Sequence, residues 1–253
     1  MSLRRFTGPA TLLALLTCLP ALHAATLVGE VSPCGPATLA IYQQNFGGQN
    51  QCSVGLLLMS GFSFASSGFG SPTLDTAADI FLTPATNGFS ISQTNGKPFA
   101  VAQGQIALYT IGFNFFIDPT PILGDAGLSM DPPFGDATVT QAYCNDGTFI
   151  PGSSSGAAGV LCTNGSNIFA PQTLRVHNPD KLDDSIVFNP PAFVGGSVLT
   201  TIILNGSAGP AGFDQVTGTS TVLIIPDAPE PGTMLLAFGG LLTAGVWRKY
   251  KRV

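Results

Sequence analysis

The residues able to do chemistry are few and thinly spread. One histidine lies outside the N-terminal stretch: His177, in Arg175-Val176-His177-Asn178-Pro179-Asp180-Lys181-Leu182-Asp183-Asp184. An imidazole oriented by a carboxylate can take a proton from a serine hydroxyl, which is how a hydrolase activates its nucleophile. Asp183 or Asp184 would be the orienting group here. The serines cluster in loops, and a lone loop histidine near a proline, as His177 is read here, is more simply polar surface. Asp180, Asp183 and Asp184 could instead offer oxygens to Ca²⁺, which takes roughly six to eight of them. Asp75 with Asp79, and Asp125 with Asp131 and Asp136, are further groups of the same kind. None has the spacing of an EF-hand loop or a Gly-Gly-x-Gly-x-Asp repeat, and aspartate is an ordinary turn residue. Glycoside hydrolysis needs two placed carboxylates, yet the body has a single glutamate, Glu30. The one tryptophan, Trp247, lies in a C-terminal apolar run, so a sugar platform would have to use Tyr or Phe. Walker-type and Rossmann glycine motifs are missing. The expectation is no enzymatic activity, no cofactor and no metal centre.

Cysteine chemistry is better defined. Cys34, Cys52, Cys144 and Cys162 form an even set, and the spacing within the first two equals that within the last two. In an exported chain this suggests two disulfides, with sequential pairing favoured and the connectivity otherwise open. Each sequential bridge would close a short loop and stabilise by about 3 kcal/mol. Close Cys-x-x-Cys pairs are absent, which disfavours zinc.

The elements that must position these residues read as strands. Charged residues are only 9% of the chain, while hydrophobic residues are 45% and Phe numbers 18, too apolar for a disordered chain. Gly and Pro are abundant, at 31 and 20, which implies many turns. Alternation marks 54–65, where Phe62 and Phe64 share a face, followed by a Gly/Ser turn at 66–71. Further strands are expected at 80–82 (stopping at Pro84), 88–92, 99–116, 137–143, 186–188, 197–204 and 216–225. Residues 26–53 read as irregular, and no capped 3.6-residue period occurs outside the termini. Thr and Ser at alternate positions suit a sheet with one solvated face. The fold class is therefore all-β: an antiparallel β-sandwich or jelly-roll-like domain over 26–225.

The termini carry the topology. Residues 1–25 read as a signal peptide: Arg4 and Arg5, an apolar helix from Leu12 to Leu19, Pro20, then Leu22-His23-Ala24 or His23-Ala24-Ala25 before the cut. Residues 226–253 comprise Pro229-Glu230-Pro231, an apolar run from Met234 to Trp247, and the basic residues Arg248, Lys249, Lys251 and Arg252. The run is roughly fourteen residues, or about 21 Å as a helix, short for a bilayer unless the flanking cations snorkel. The positive-inside rule keeps the basic cluster cytoplasmic and leaves the tripeptide outside. Prolines hold that tripeptide extended, as a protease groove requires.

This order of tripeptide, short transmembrane helix and basic tail resembles the PEP-CTERM sorting signal of Gram-negative bacteria. The resemblance covers the last twenty-five or so residues. It implies processing by an exosortase, a membrane cysteine protease-transpeptidase, after signal peptidase has acted. It also implies passage through the inner membrane to the cell surface or extracellular matrix, often alongside exopolysaccharide. A body with only Lys97, Arg175 and Lys181 against its carboxylates, in a chain of net charge −5, excludes nucleic acid as a partner. The alternatives are an extracytoplasmic carbohydrate- or Ca²⁺-binding module and an extracytoplasmic hydrolase.

Overall fold

The computed structural model describes residues 31–117, 121–150, 160–165, 167–192 and 194–224. The expected signal helix and C-terminal transmembrane helix lie outside the described residues. Among those described, no helix is long and apolar enough to cross a membrane.

The chain is mostly antiparallel sheet. It opens with β1 (Ala37–Thr38), a helix α1 (Leu39–Phe46), β2 (Cys52–Val54), β3 (Leu57–Phe69), β4 (Ile80–Ala85) and β5 (Gly88–Gln93). The middle holds β6 (Phe99–Val101), β7 (Ile106–Ile117), β8 (Pro121–Phe134), β9 (Asp136–Asn145), β10 (Thr148–Phe149), β11 (Cys162–Thr163) and β12 (Ile168–Phe169). The last strands are β13 (Gln172–His177), β14 (Asp183–Ala192), β15 (Gly195–Asn205) and β16 (Ala211–Ile224). One sheet has the order β13-β9-β15-β7-β3-β2; a second has β1-β4-β5-β16-β8-β14 with β6 also on β16; β10-β11-β12 form a small third.

The first two sheets meet through aromatic side chains. Phe89 of β5 lies edge-on to Phe62 of β3 at 5.7 Å and to Phe113 of β7 at 5.6 Å. Phe99 of β6 meets Tyr109 of β7 at 5.8 Å, and Tyr143 of β9 meets Phe188 of β14 at 5.0 Å. Each such pair contributes about 0.5–1.5 kcal/mol beyond its area burial. Phe62 and Phe64 do share the inward face, as alternation implied.

Several expectations are corrected. The segment 26–53 is not irregular throughout: Thr38 caps α1 by accepting from the Ile41 N–H at 3.4 Å. Leu39, Tyr42 and Phe46, at i, i+3 and i+7, face the core. Tyr42 packs 4.7 Å from Phe62 and donates its hydroxyl to the Gly35 carbonyl at 2.7 Å. The Gly/Ser run at 66–71 is not a turn from its start, because β3 stays paired with β7 out to Phe69↔Ile106. Gly61 adopts φ 65° at a register shift between Ser60 and Ser63, a conformation that suits glycine. β4 passes Pro84 and ends at Ala85. The stretch 99–116 is two strands, β6 and β7, in different sheets.

The core also contains one polar knot. Gln141 of β9 is 4% exposed. Its amide donates to Thr200 Oγ1 at 3.1 Å and accepts from the Tyr143 hydroxyl at 2.9 Å. Gly218 of β16 lies opposite. A Cβ there would stand 2.8 Å from both the Oε1 and Nε2 of Gln141. Gly218→Ala should therefore push the amide off its buried partners and destabilise by about 1–3 kcal/mol. A urea midpoint indistinguishable from wild type would refute this coupling.

Candidate functional site

β9 carries both groupings of chemical interest, one at each end. Its ten residues span about 30 Å at ~3.3 Å per residue.

His177 lies at the first end, as the last residue of β13 and not in a loop. Register places it beside Thr138, and Thr138 Oγ1 is 2.8 Å from His177 Nδ1. Asp136 Oδ1 lies 3.7 Å from Nδ1 and Asp180 Oδ2 lies 3.6 Å from Nε2, in ion-pair range but too long for hydrogen bonds. Asn205 of β15 donates to Asp136 Oδ2 at 2.7 Å. The carboxylates near this imidazole are therefore Asp136 and Asp180, not Asp183 or Asp184. The neighbouring hydroxyl is a threonine, 8% exposed, which leaves little room for a substrate to reach it.

Asp184 serves the hairpin instead. It accepts from the Arg175 N–H at 2.7 Å, the Ser185 N–H at 2.9 Å and the Lys181 ammonium. Burial pushes its carboxyl up, but these donors, led by Lys181, outweigh that and hold it below the ordinary value of 3.8. Asp79 is likewise committed to a turn, accepting from the Thr76 N–H and hydroxyl. Asp75 accepts from Gln93 at 2.6 Å, and burial raises its pKa. Among the described residues no three His, Cys, Asp or Glu side chains gather to hold a metal ion.

The second end is built around Cys144, Asn145 and Asp146. The two disulfides are Cys34–Cys52 and Cys144–Cys162, the sequential pairing, with Cα separations of 5.0 and 5.5 Å. Cys34–Cys52 ties the N-terminal segment to the edge strand β2, where the Cys34 N–H also donates to Ser53 O at 2.8 Å. Cys144–Cys162 ties β9 to β11 and so to the small sheet. Asp146 has φ 53°, unusual for a residue other than glycine. Its Oδ1 accepts from the Val194 and Gly195 N–H groups at 2.8 and 3.3 Å, while its own N–H donates to Gly195 O at 2.7 Å. This clamps the β14–β15 connection against the end of β9.

Clefts open on both sides of that clamp. One of about 360 Å³ is lined by Tyr143, Asn145, Asn164, Phe169, Gln172 and Asn189, among others. The other, of about 320 Å³, is lined by Asn114, Phe116, Thr148 and Val194 among others. Sequence reasoning missed both, because their residues are scattered from 114 to 196 and only strand register collects them. One local pattern was also missed: Gly152-Ser153-Ser154-Ser155-Gly156 has the Gly-x-Ser-x-Gly form and lies outside the described residues. So do Pro229, Glu230, Pro231, Arg248, Lys249, Lys251 and Arg252.

The chain matches no protein-family model and no curated protein.

Two measurements follow from this geometry. The folded pKa of Asp184 is depressed, so its contribution is present above pH 3.8 and is lost as pH falls through the lower folded value. Asp184→Asn should therefore lower the urea midpoint at pH 7, and the gap to wild type should close on acidification below pH 3.8. A gap independent of pH would disprove the assignment. Reduction of the purified protein should lower its melting temperature, since each bridge contributes about 3 kcal/mol; an unshifted transition would show that neither bridge stabilises the fold.

Proposed function

We propose that this chain is an exported cell-surface or extracellular-matrix protein, delivered by the signal peptide at 1–25 and sorted by an exosortase at Pro229-Glu230-Pro231. Its two facing sheets are read as a β-sandwich of jelly-roll type, held beside the membrane by 226–253 until processing. The observation that supports this most is the pair of disulfides, Cys34–Cys52 and Cys144–Cys162. Such bridges form and persist in oxidising, extracytoplasmic compartments, the destination that the two termini encode. Charge supports the same reading, because the terminal cations flank apolar runs while the body keeps three.

On this reading the partners are signal peptidase, the exosortase, the inner membrane before cleavage, and exopolysaccharide at the surface. No enzymatic step belongs to it. Among the described residues the Thr138–His177 pair is the nearest approach to a hydrolase, and its exposed Asp180 partner is too distant to orient the ring. A second reading, an extracytoplasmic binding module, is favoured by the clefts beside Asp146.

Replacing Pro229, Glu230 and Pro231 together by alanine should trap the protein in the membrane fraction at nearly full-length mass, while wild type is released in shortened form. Release of the triple variant at the wild-type rate and mass would overturn exosortase sorting.

A further inference from the structure

We propose that two of the chain's four Asn-Gly dipeptides, Asn95-Gly96 and Asn164-Gly165, are sites of spontaneous deamidation, and that the fold protects the other two, Asn87-Gly88 and Asn205-Gly206. The chemistry needs only water. The backbone nitrogen of the glycine loses its proton and attacks Cγ of the asparagine carboxamide. A C–N bond forms, the bond from Cγ to the amide nitrogen breaks, and that nitrogen takes up a proton and leaves as ammonia. Water then opens the five-membered succinimide at either carbonyl, giving aspartate or isoaspartate. Glycine is the favourable follower because no Cβ crowds the approach and its backbone turns freely.

The structure separates the four. Asn87 is tied at both ends of its carboxamide: Oδ1 accepts from the Leu56 N–H at 3.0 Å, and Nδ2 donates to Ser220 O at 3.1 Å. Asn205 is tied likewise. Its Nδ2 donates to Asp136 Oδ2 at 2.7 Å, and its Oδ1 accepts from the Ser207 N–H at 3.2 Å. The attacking groups beside them are enclosed too. Gly88 and Gly206 are buried, and the Gly206 N–H already donates to Gln105 O at 2.8 Å. A Cβ on Gly88 would run into Gly218 O, and one on Gly206 into Ala102 O, so neither backbone has room to swing toward a carboxamide.

The other pair stands in the open. Asn95, Gly96, Asn164 and Gly165 are all exposed, and a Cβ on either glycine would meet nothing within 4 Å. Among the described residues no hydrogen bond holds either carboxamide. Gly96 closes a single 3₁₀ turn, Thr94–Gly96, and bonds in such turns have poor geometry. Asn164-Gly165 lies in the connection between β11 and β12. Exposed connections open at little cost in free energy, so their backbones sample the attacking geometry. Asn87 and Asn205 must each break two hydrogen bonds first.

Each conversion turns a neutral amide into a carboxylate, and isoaspartate also adds a methylene to the main chain. Asn164 lines the cleft beside Asp146. Its conversion sets a second carboxylate there, where neither Lys nor Arg lines the wall. A long-lived chain therefore grows more acidic at this end of β9.

The test is incubation of the full-length, oxidised protein in mildly alkaline heavy-oxygen water, then proteolysis in ordinary water and peptide mass mapping. Only carboxylates made during incubation carry the heavy isotope. Label should enter at Asn95 and Asn164 at least about tenfold faster than at Asn87 and Asn205, whose two hydrogen bonds must break before attack. In urea, where folding no longer shields any site, the four rates should converge. Asn95→Gln and Asn164→Gln should each remove one labelled peptide and leave the other, at unchanged melting temperature. A smaller ratio in the folded protein, no label at Asn95 or at Asn164, or rates that stay as far apart in urea would overturn the inference.

Discussion

Both large sheets are completed by the last two strands. β15 lies between β7 and β9, paired to β7 from Gly195↔Phe116 to Asn205↔Ile106 and to β9 from Gly196↔Asn145 to Asn205↔Asp136. β16 is central to the other sheet and pairs with β5, β6 and β8. Until these strands dock, β9 and β13 have no link to β7 in the first sheet, and β8 and β14 none to β5 in the second. Most of the stabilising pairs are therefore distant in sequence, and such topologies pay loop-closure entropy before contacts reward it. The disulfides cannot substitute for this step. Each closes a local loop at the periphery, one at the β2 edge and one at the small sheet.

Edges show how the sheets end. β2 is three residues long and is fastened by Cys34–Cys52. β14 contains Pro190 and Pro191, and its register with β8 shifts between Val187 and Ala192. Proline removes a ladder donor, so a bordering strand tolerates it where a central strand would not. β8 is central and still contains Pro132 and Pro133, but β14 pairs with it only from Leu123 to Ser129. The prolines lie beyond that span, beside β16 alone. Short, bulged or proline-bearing edges resist pairing with other chains.

Much of this fold was legible, and what was not has a common cause. Alternation found β5, β15 and β16, whose inner faces carry Phe, Ile or Val, and β9, whose inner face carries Ala137, Val139, Gln141 and Tyr143. It failed on β8, Pro-Ile-Leu-Gly-Asp-Ala-Gly-Leu-Ser-Met-Asp-Pro-Pro-Phe, whose Gly, Asp and Pro are turn formers. There the partners β16 and β14 override local preference. It also failed on β13, where proximity to Asn178-Pro179-Asp180 suggested a loop around His177. The helix α1 escaped notice because it is eight residues long and uncharged, too brief to show a period. The cysteines were legible because covalent chemistry leaves a spacing. The clefts were not, because their lining residues come from several strands and connections that only the tertiary pairing brings together.

The distribution of polar groups separates what maintains this domain from what could serve it. Inside, Gln141 is satisfied by Thr200 and Tyr143, so it fixes register without offering itself to a ligand. A one-residue slip of β9 would turn that amide to the opposite face and bring Thr140 or Ala142 inward. Outside, Thr217 donates to Ser90 Oγ at 3.1 Å and accepts from Gln215 at 3.1 Å, so neutral hydroxyls and an amide stand on this face in place of charge. At the His177 end the carboxylates are largely spent on turns, with Asp184 and Asp136 accepting from neighbours. The Asp146 end differs in kind. Its carboxylate holds two backbone N–H groups in a left-handed conformation, and strain of that sort, about 1–3 kcal/mol, persists only where surroundings over-determine it. The over-determination comes from the β9 ladder on one side and Cys144–Cys162 on the other. Rigidity is thus concentrated beside the two clefts at this end of β9, in a domain whose charges are otherwise sparse.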